Sequence, residues 1–413
     1  MKTIVIVGAG IVGVSSAIWL QRAGLKVILI DRSGPASGAS HGNAGVLAAS
    51  SIMPIPNPAL VKQLPFMLFS RNSPLFVKAT YFPKLLPFLF GYLAHSSTKE
   101  VEKYARAMTP LIRDSVEQHL SLAKGTEAEK YITKVDYCFG YQSERAYKAD
   151  KAVWTLRDKL GFSFETCNGK DFSKFDPFYD GLFDFVVRCK NHGKISDPGK
   201  YIKALSDHFI SQGGELIISN VKDISLGTNN SVRTKLEGEI ITSDKILIAS
   251  GAWSKNLTNK FKIKVPLESE RGYHLEFLKP KKYPKFPMMV TSKKFVITPM
   301  KGRIRAAGLV EFAGIRAAGR TGPIKLLKSQ MAKLFPNLEF EEQVEWLGHR
   351  PALIDSLPML GHIDQNEKVF LAFGHQHLGL TAGAKTGRIV SDLIAERKIN
   401  LDLSYYNPNR FTY

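Results

Sequence analysis

Met1-Lys2-Thr3-Ile4-Val5-Ile6-Val7-Gly8-Ala9-Gly10-Ile11-Val12-Gly13 opens the chain, and the fold turns on how this stretch is read. Thr3 to Val7 is a short, β-branched apolar run, the composition of a strand buried on both faces. It leads straight into Gly8-x-Gly10-x-x-Gly13 and a helix-like stretch ending near Arg22-Ala23-Gly24. Lys26 to Ile30 reads as a second buried strand, and Asp31 stands at its end, about 20 residues beyond the turn. Strand, turn, helix, strand and acid together form a unit that grips a dinucleotide. Gly8 permits the tight turn, Gly10 lets backbone approach a pyrophosphate, and Gly13 lets helix and strand pack closely. The helix N-terminus then faces phosphate charge, and Asp31 can accept from ribose hydroxyls. Gly8, Gly10, Val12, Gly13, Asp31 and the adjacent Arg32 are the expected contacts at this end.

Composition bounds the rest. The chain has 413 residues, 44% hydrophobic and 10% aromatic, which suits two domains or one elaborate domain around a large core. The N-terminus is already the first strand, so no cleavable signal is expected, and no run of about 18 apolar residues suggests a membrane span. Cys138, Cys167 and Cys189 are odd in number and lack metal-ligand spacing, so free thiols in a reducing cytoplasm, and no metal, are expected. The net charge of +20 admits nucleic acid, an anionic membrane or an anionic small molecule as partner. The lysines are spread along the chain, and the densest cluster, Lys279 to Lys285, reads as a solvated loop without any nucleic-acid-binding signature. No nucleic-acid partner is expected, and the oligomeric state is left open.

Beyond Asp31, Arg32 to Gly45 is a run of small residues able to wrap a ligand, with Ser hydroxyls and amides as donors. Residues 51 to 95 are Phe- and Leu-rich but punctuated by Pro54, Pro56, Pro58, Pro65, Pro74, Pro83 and Pro87, which predicts short broken segments. These could cap a pocket or touch a bilayer surface. Apolar residues at spacings of three and four predict a helix over Ser97 to Lys124, and another lies near Ala146 to Leu160. Ser196-Asp197-Pro198 reads as a helix start, with the helix running to about Ser211. Strands follow at Glu215–Ile218 and Val221–Ile224. Lys245 to Trp253 is a buried strand running into a glycine turn, and a strand at Val369–Phe373 leads into a final helix from about Ala384 to Arg397. Dinucleotide-type segments therefore alternate with segments rich in antiparallel-looking strands. The class is α/β, with a discontinuous Rossmann-like domain and an α+β domain carrying a large antiparallel or mixed sheet.

The C-terminal third carries a family resemblance. Gly348-His349-Arg350-Pro351-Ala352-Leu353-Ile354-Asp355-Ser356-Leu357-Pro358-Met359-Leu360-Gly361 is similar to the G-x-R-P-x-x-x-D-x-x-P-x-x-G segment of the glycine oxidase/D-amino-acid oxidase superfamily. Phe373-Gly374-His375-Gln376-His377-Leu378-Gly379-Leu380-Thr381 resembles its flavin-contacting turn. Gly38 to Gly45 resembles the loop beside the isoalloxazine, and Glu270-Arg271-Gly272-Tyr273-His274 a strand of the substrate domain. The chain looks closest to the D-amino-acid dehydrogenases, including the branch acting on D-proline and D-hydroxyproline.

The resemblance implies FAD, held by residues 1–50, 193–261 and 341–413, with substrate held by 51–192 and 262–340. Ser40, Asn43, Ala44, Gly45, Val221, Gly251, Gly374, Gly379, Leu380 and Thr381 join the nucleotide-end residues as implied flavin contacts. His41 stands near the place where some relatives attach flavin covalently, but its register is shifted, so non-covalent FAD is expected. The implied reaction passes hydride from substrate Cα to flavin N5, and the imine then hydrolyses to a 2-oxo acid or stays cyclic. Such chemistry needs positioning above all. Arg350 is implied as the carboxylate anchor, the alternative being a structural pair with Asp355. Tyr273 is a second donor, Arg271 an alternative anion ligand, and His377 a basic residue near the flavin. Electrons would pass to a quinone or another carrier, on the cytoplasmic face of the inner membrane if the apolar stretch docks there. An oxygen-using glycine/sarcosine-type oxidase and a flavoprotein acting on a nucleic-acid-linked substrate are the competing expectations.

Overall fold

A computed structural model describes residues 2–59, 61, 73–227, 231–364 and 366–412. Its centre is a six-stranded sheet in the order 215–218, 26–31, 3–7, 245–248, 366–373, 359–363. The first five strands are mutually parallel and the last is antiparallel to its neighbour. Alternate residues of the central strands face opposite cores. Ile4, Ile6, Leu29 and Leu247 join the helices at Ile11–Arg22, Thr98–Ile112, Pro198–Ser211 and Gly379–Ile394. Val5, Val7, Ile28, Ile30, Ile246 and Ile248 pack beneath a three-stranded antiparallel layer that contributes Ile224 and Val232. Burial on both faces is why these strands are continuous apolar runs rather than alternating ones.

The helix after the first strand sits hard against its own turn. A Cβ on Gly13 would stand 1.8 Å from the Gly8 carbonyl oxygen, so only glycine fits there. Gly8 itself has φ +111°, in the region other residues avoid.

The second large sheet has nine strands, along the path 342–353, 267–278, 303–312, 295–300, 288–290, 137–141, 185–189, 164–168, with 75–77 added beside the end of 303–312. Both parts of the predicted architecture are present. Several boundaries differ from the sequence reading. Glu342–Leu353 pairs along its length with Leu267–Leu278, so these residues, expected at the start of the last FAD-holding segment, form a strand of the mixed sheet. The helix expected over 97–124 is two helices, Thr98–Ile112 and Ser115–Ala123, which meet at Arg113-Asp114. The strand near 221–224 begins two residues later, at Asp223. Phe82–Ala94 is a single helix that starts with Pro83 in its first turn and carries Pro87 inside it. Residues 62–72 of the proline-punctuated stretch lie outside the described residues.

Candidate active site

A cavity of about 1160 Å³ runs between the parallel sheet and the mixed sheet. One end is formed by the glycine turn. Gly8, Gly10, Val12, Asp31, Arg32, Ser40, Val221 and Gly251 all line it. Ser40 Oγ accepts from the Ile11 amide at 3.1 Å, which fixes the start of the helix. The amides of Gly10 and Val12 carry no hydrogen bond among the described residues, and their residues border the cavity. That is the cradle a pyrophosphate requires. Asp31 Oδ2 accepts from the Ala9 amide at 2.8 Å, and Oδ1 from Ser33 and Gly34. It ties the second strand to the turn while lining the cavity. The Arg32 guanidinium lies 3.8 Å over the Trp253 ring, a flat wall that the sequence reading did not single out.

The middle of the cavity lies between two polypeptide edges. Asn43, Ala44, Val46 and Ala48 form one, and His375 to Thr381 the other. Thr381 Oγ1 donates to the Val46 carbonyl and accepts from the Ala48 amide, both at 3.2 Å, so it locks these edges together. Asn43 Oδ1 accepts from the Gly45 amide, and the carbonyls of His41 and Asn43 accept from the buried Arg305. Gly379 begins the last helix, whose N-terminus points positive potential at this region. Gly13, Gly45 and Gly374 were expected to touch cofactor but do not line the cavity; they shape the backbone around it. His41 is likewise absent from the lining. Its Nδ1 faces Gly199, and its ring lies 6.2 Å from that of Trp346.

The chemical end is built on the mixed sheet. Strand register places Glu270 directly opposite Arg350. Arg350 Nη1 donates to Glu270 Oε1 at 2.8 Å and to the Leu309 carbonyl at 3.1 Å. The Arg350 side chain lies across Gly272, where a Cβ would be 2.4 Å from its guanidinium carbon and Nη2. Its Nε and Nη2 carry no hydrogen bond among the described residues. Glu270 is fully buried, lines the cavity, and has an Oε2 with no partner among the described residues. The alternative pairing of Arg350 with Asp355 does not occur, because Asp355 is taken by Arg410 at 2.7 Å.

Tyr273 lines the cavity, as expected, and His274 does not. The Tyr273 hydroxyl donates to Glu311 Oε2 at 2.5 Å and accepts from the Arg320 amide. Burial, with Glu311 beside it, pushes its pKa up to about 12. Arg271 is not an anion ligand: it is fully buried, faces Glu311 at 3.3 Å and does not line the cavity. Arg271 does share a face with Tyr273, since both meet Glu311 Oε2, but it is sealed there and also donates to the Ala318 carbonyl. His377 lines the cavity but is not basic. Desolvation, reinforced by the Arg350 charge, lowers its pKa to about 4, and its Nδ1 has no partner among the described residues. Glu270 was missed as a functional residue because its partner is 80 residues away in sequence, and only the strand register brings them together.

Residues 3–393 match the DAO family, described as FAD dependent oxidoreductase. The chain is 34% identical, over 99% of both chains, to a D-amino-acid oxidase of Bradyrhizobium diazoefficiens. It is 24% identical, again over 99% of both, to a D-amino acid dehydrogenase of Rhizobium rhizogenes. Among solved structures it resembles glycine oxidase from Geobacillus kaustophilus, with a TM-score of 0.74 at 20% identity over 99% of both chains. It also resembles L-proline dehydrogenase from P. horikoshii, with a TM-score of 0.73 at 18% identity over 100% of this chain and 98% of that one.

Proposed function

Since the chain belongs to the family of FAD-dependent oxidoreductases, we propose that it oxidises the Cα–N bond of D-amino acids. Bound FAD supplies the hydride acceptor, and the protein supplies orientation. The carrying observation is the Arg350 side chain laid over Gly272, with one edge tied to Glu270 and the Nε–Nη2 edge unused. That free edge offers a bidentate fork to an α-carboxylate. Glu270 Oε2 then accepts from the substrate amine, and together they hold Cα in one orientation. Neutral His377 adds a dipole without a second positive charge. Tyr273, tied to Glu311, walls the site and is not free to swing onto the carboxylate without giving up that bond.

D-Proline and D-hydroxyproline are included in the proposed range because the amine needs only an acceptor, which a ring N–H also satisfies. For the reoxidation step a quinone or other carrier is proposed, with O₂ as the second reading because the relative at 34% identity is named an oxidase. A screen of D- and L-amino acids, D-hydroxyproline, glycine and sarcosine with a dye acceptor tests the substrate class. Turnover of L-amino acids alone would overturn it. Stoichiometric peroxide in air would decide for the oxidase. A peripheral membrane contact is proposed for the Phe82–Ala94 helix, which exposes Phe90 by 69%; no helix among the described residues is long and apolar enough to cross a membrane. Co-sedimentation with anionic vesicles tests it, and full recovery in the supernatant at low salt would reject it.

A further inference from the structure

Away from Arg350 the cavity continues into a lobe bordered by Tyr137, Tyr141, Asp150, Val153, Arg157 and Lys294. Arg157 is 94% buried and has no ion pair among the described residues. Its single hydrogen bond among the described residues runs from Nε to the Ser50 carbonyl at 3.0 Å. The guanidinium lies between two rings, 4.3 Å from the centroid of Trp154 and 5.1 Å from that of Phe139, which hold it without neutralising it. Ser50 is held in turn by His192, whose Nε2 lies 3.0 Å from both its amide and its hydroxyl. Asp150 faces the same lobe, but its Oδ2 is engaged by the Tyr141 hydroxyl at 3.0 Å and makes no ion pair with Arg157. Asp150 acts on the guanidinium only from beyond ion-pair distance, and a buried guanidinium without a contact counter-ion is costly unless something pairs with it.

The lobe is joined to the Arg350 end by a continuous floor. Phe139 pairs with Met289, Met289 with Val296, and Val296 with Ala307, and all four line the cavity. Three strand steps at roughly 4.8 Å each carry the floor about 14 Å from Phe139 to Ala307. Arg350 stands two strands further on and reaches back over Gly272 to the Leu309 carbonyl, on the strand of Ala307. The floor between the two cations is mostly apolar.

We propose that Arg157 is a second carboxylate site, distinct from the Arg350 anchor and separated from it by this floor. The carboxylate reaches it either as the far end of a long amino-acid substrate or as a separate small carboxylate. The site rests on the proposed function only in the first case.

Two measurements on the FAD-loaded enzyme test it. In the first, KM is compared for D-2-aminosuberate and for an uncharged D-amino acid of similar length. Arg157→Gln should raise the ratio of the two KM values by roughly ten- to a hundredfold, the loss of one charge-assisted interaction. Arg157→Lys should restore part of it. In the second, glutarate is titrated into the holoenzyme by calorimetry without turnover, so the result stands even if D-amino acids prove not to be substrates. Binding abolished by Arg157→Gln with an unchanged KM ratio identifies a separate anion. Because Arg157 also packs between rings, Val153→Glu serves as the second variant: it places a carboxylate one turn before Arg157 on the same helix and should occupy the guanidinium from within. An unchanged KM ratio together with unchanged glutarate binding, in variants that keep the flavin spectrum, would overturn the proposal.

Discussion

Arg350 Nη1 and Glu270 Oε1 are 2.8 Å apart, on adjacent antiparallel strands and directly opposite in register. The anchor for an anion is therefore already half-compensated before substrate arrives. This gives Glu270→Gln an unusual signature. The amide retains an acceptor for Nη1 but removes the opposing charge. Simple carboxylate inhibitors should bind more tightly by about 1 kcal/mol, while KM for amino acids should rise, because the amine loses its anionic acceptor. Opposite signs from one variant, read by inhibition and steady-state kinetics, are the expected outcome. A parallel rise in both constants would mean that Glu270 only positions Arg350.

Arg350→Ala removes the fork and strands Glu270, which is buried. Substrate affinity should fall by roughly 2–4 kcal/mol, and thermal stability should fall with it. Arg350→Ala combined with Glu270→Gln should recover much of the lost stability but none of the affinity. Melting curves and KM values measured on the four-member cycle separate the two roles.

Gly272→Ala tests how the anchor is seated. The new Cβ would stand 2.4 Å from the guanidinium carbon, and the side chain can evade it only by leaving its present position. Flavin content and secondary structure should be retained while KM rises about tenfold, on the scale of one displaced charge-assisted contact. Wild-type KM in this variant would show that the carboxylate is held elsewhere.

The glycine turn, the two-sheet architecture and the dinucleotide end were legible because each rests on neighbours in sequence: strand, turn, helix and acid within the first 31 residues. The chemical end was legible only as named residues without their relationships. Arg350 was visible but its partner was not, since Glu270–Arg350 depends on which residue of one 12-residue strand faces which residue of another. Arg271 was misassigned for a similar reason: Glu311, on the neighbouring strand and 40 residues away in sequence, takes up its charge. His377 carries a basic residue's name, yet desolvation and the nearby Arg350 charge favour its neutral form, and both are properties of the assembled site. Arg157 gave no signal at all, because an arginine on a short amphipathic helix is ordinarily solvated.

Two glycines in the opening turn should fail differently. Gly13→Ala forces a Cβ to within 1.8 Å of the Gly8 carbonyl, a backbone atom that cannot yield cheaply. Soluble folded protein should be lost or sharply reduced. Gly10→Ala meets nothing in the protein closer than 3.1 Å, the Ser40 hydroxyl, so the fold should persist. The methyl group would instead occupy the approach reserved for pyrophosphate. The expected product is a folded apoprotein without the yellow colour, distinguished by comparing far-ultraviolet circular dichroism with flavin absorbance.

Acid should act on the core before it acts on the chemistry. His119, His192 and His375 are buried, and burial is the leading cause that lowers each pKa to about 4, from an ordinary value near 6.5. The unfolded chain therefore binds more protons than the folded one between these two values. Stability is complete above about pH 6.5 and is lost as pH falls toward 4, by up to about 3 kcal/mol for each fully buried histidine. His119 is the cleanest reporter, since its ring lies 2.7 Å from the Tyr201 hydroxyl and 2.8 Å from the Leu380 carbonyl, at the start of the last helix. His119→Gln should lower stability at pH 7 yet flatten its decline between pH 6.5 and 4, as followed by thermal melts of the FAD-loaded enzyme. Because His377 stays uncharged throughout that range, kcat/KM should show no break near 6.5 arising from it. A break at that pH that disappears in His377→Asn would mean the imidazole is protonated in the working enzyme, and the neutral-dipole role would have to be given up.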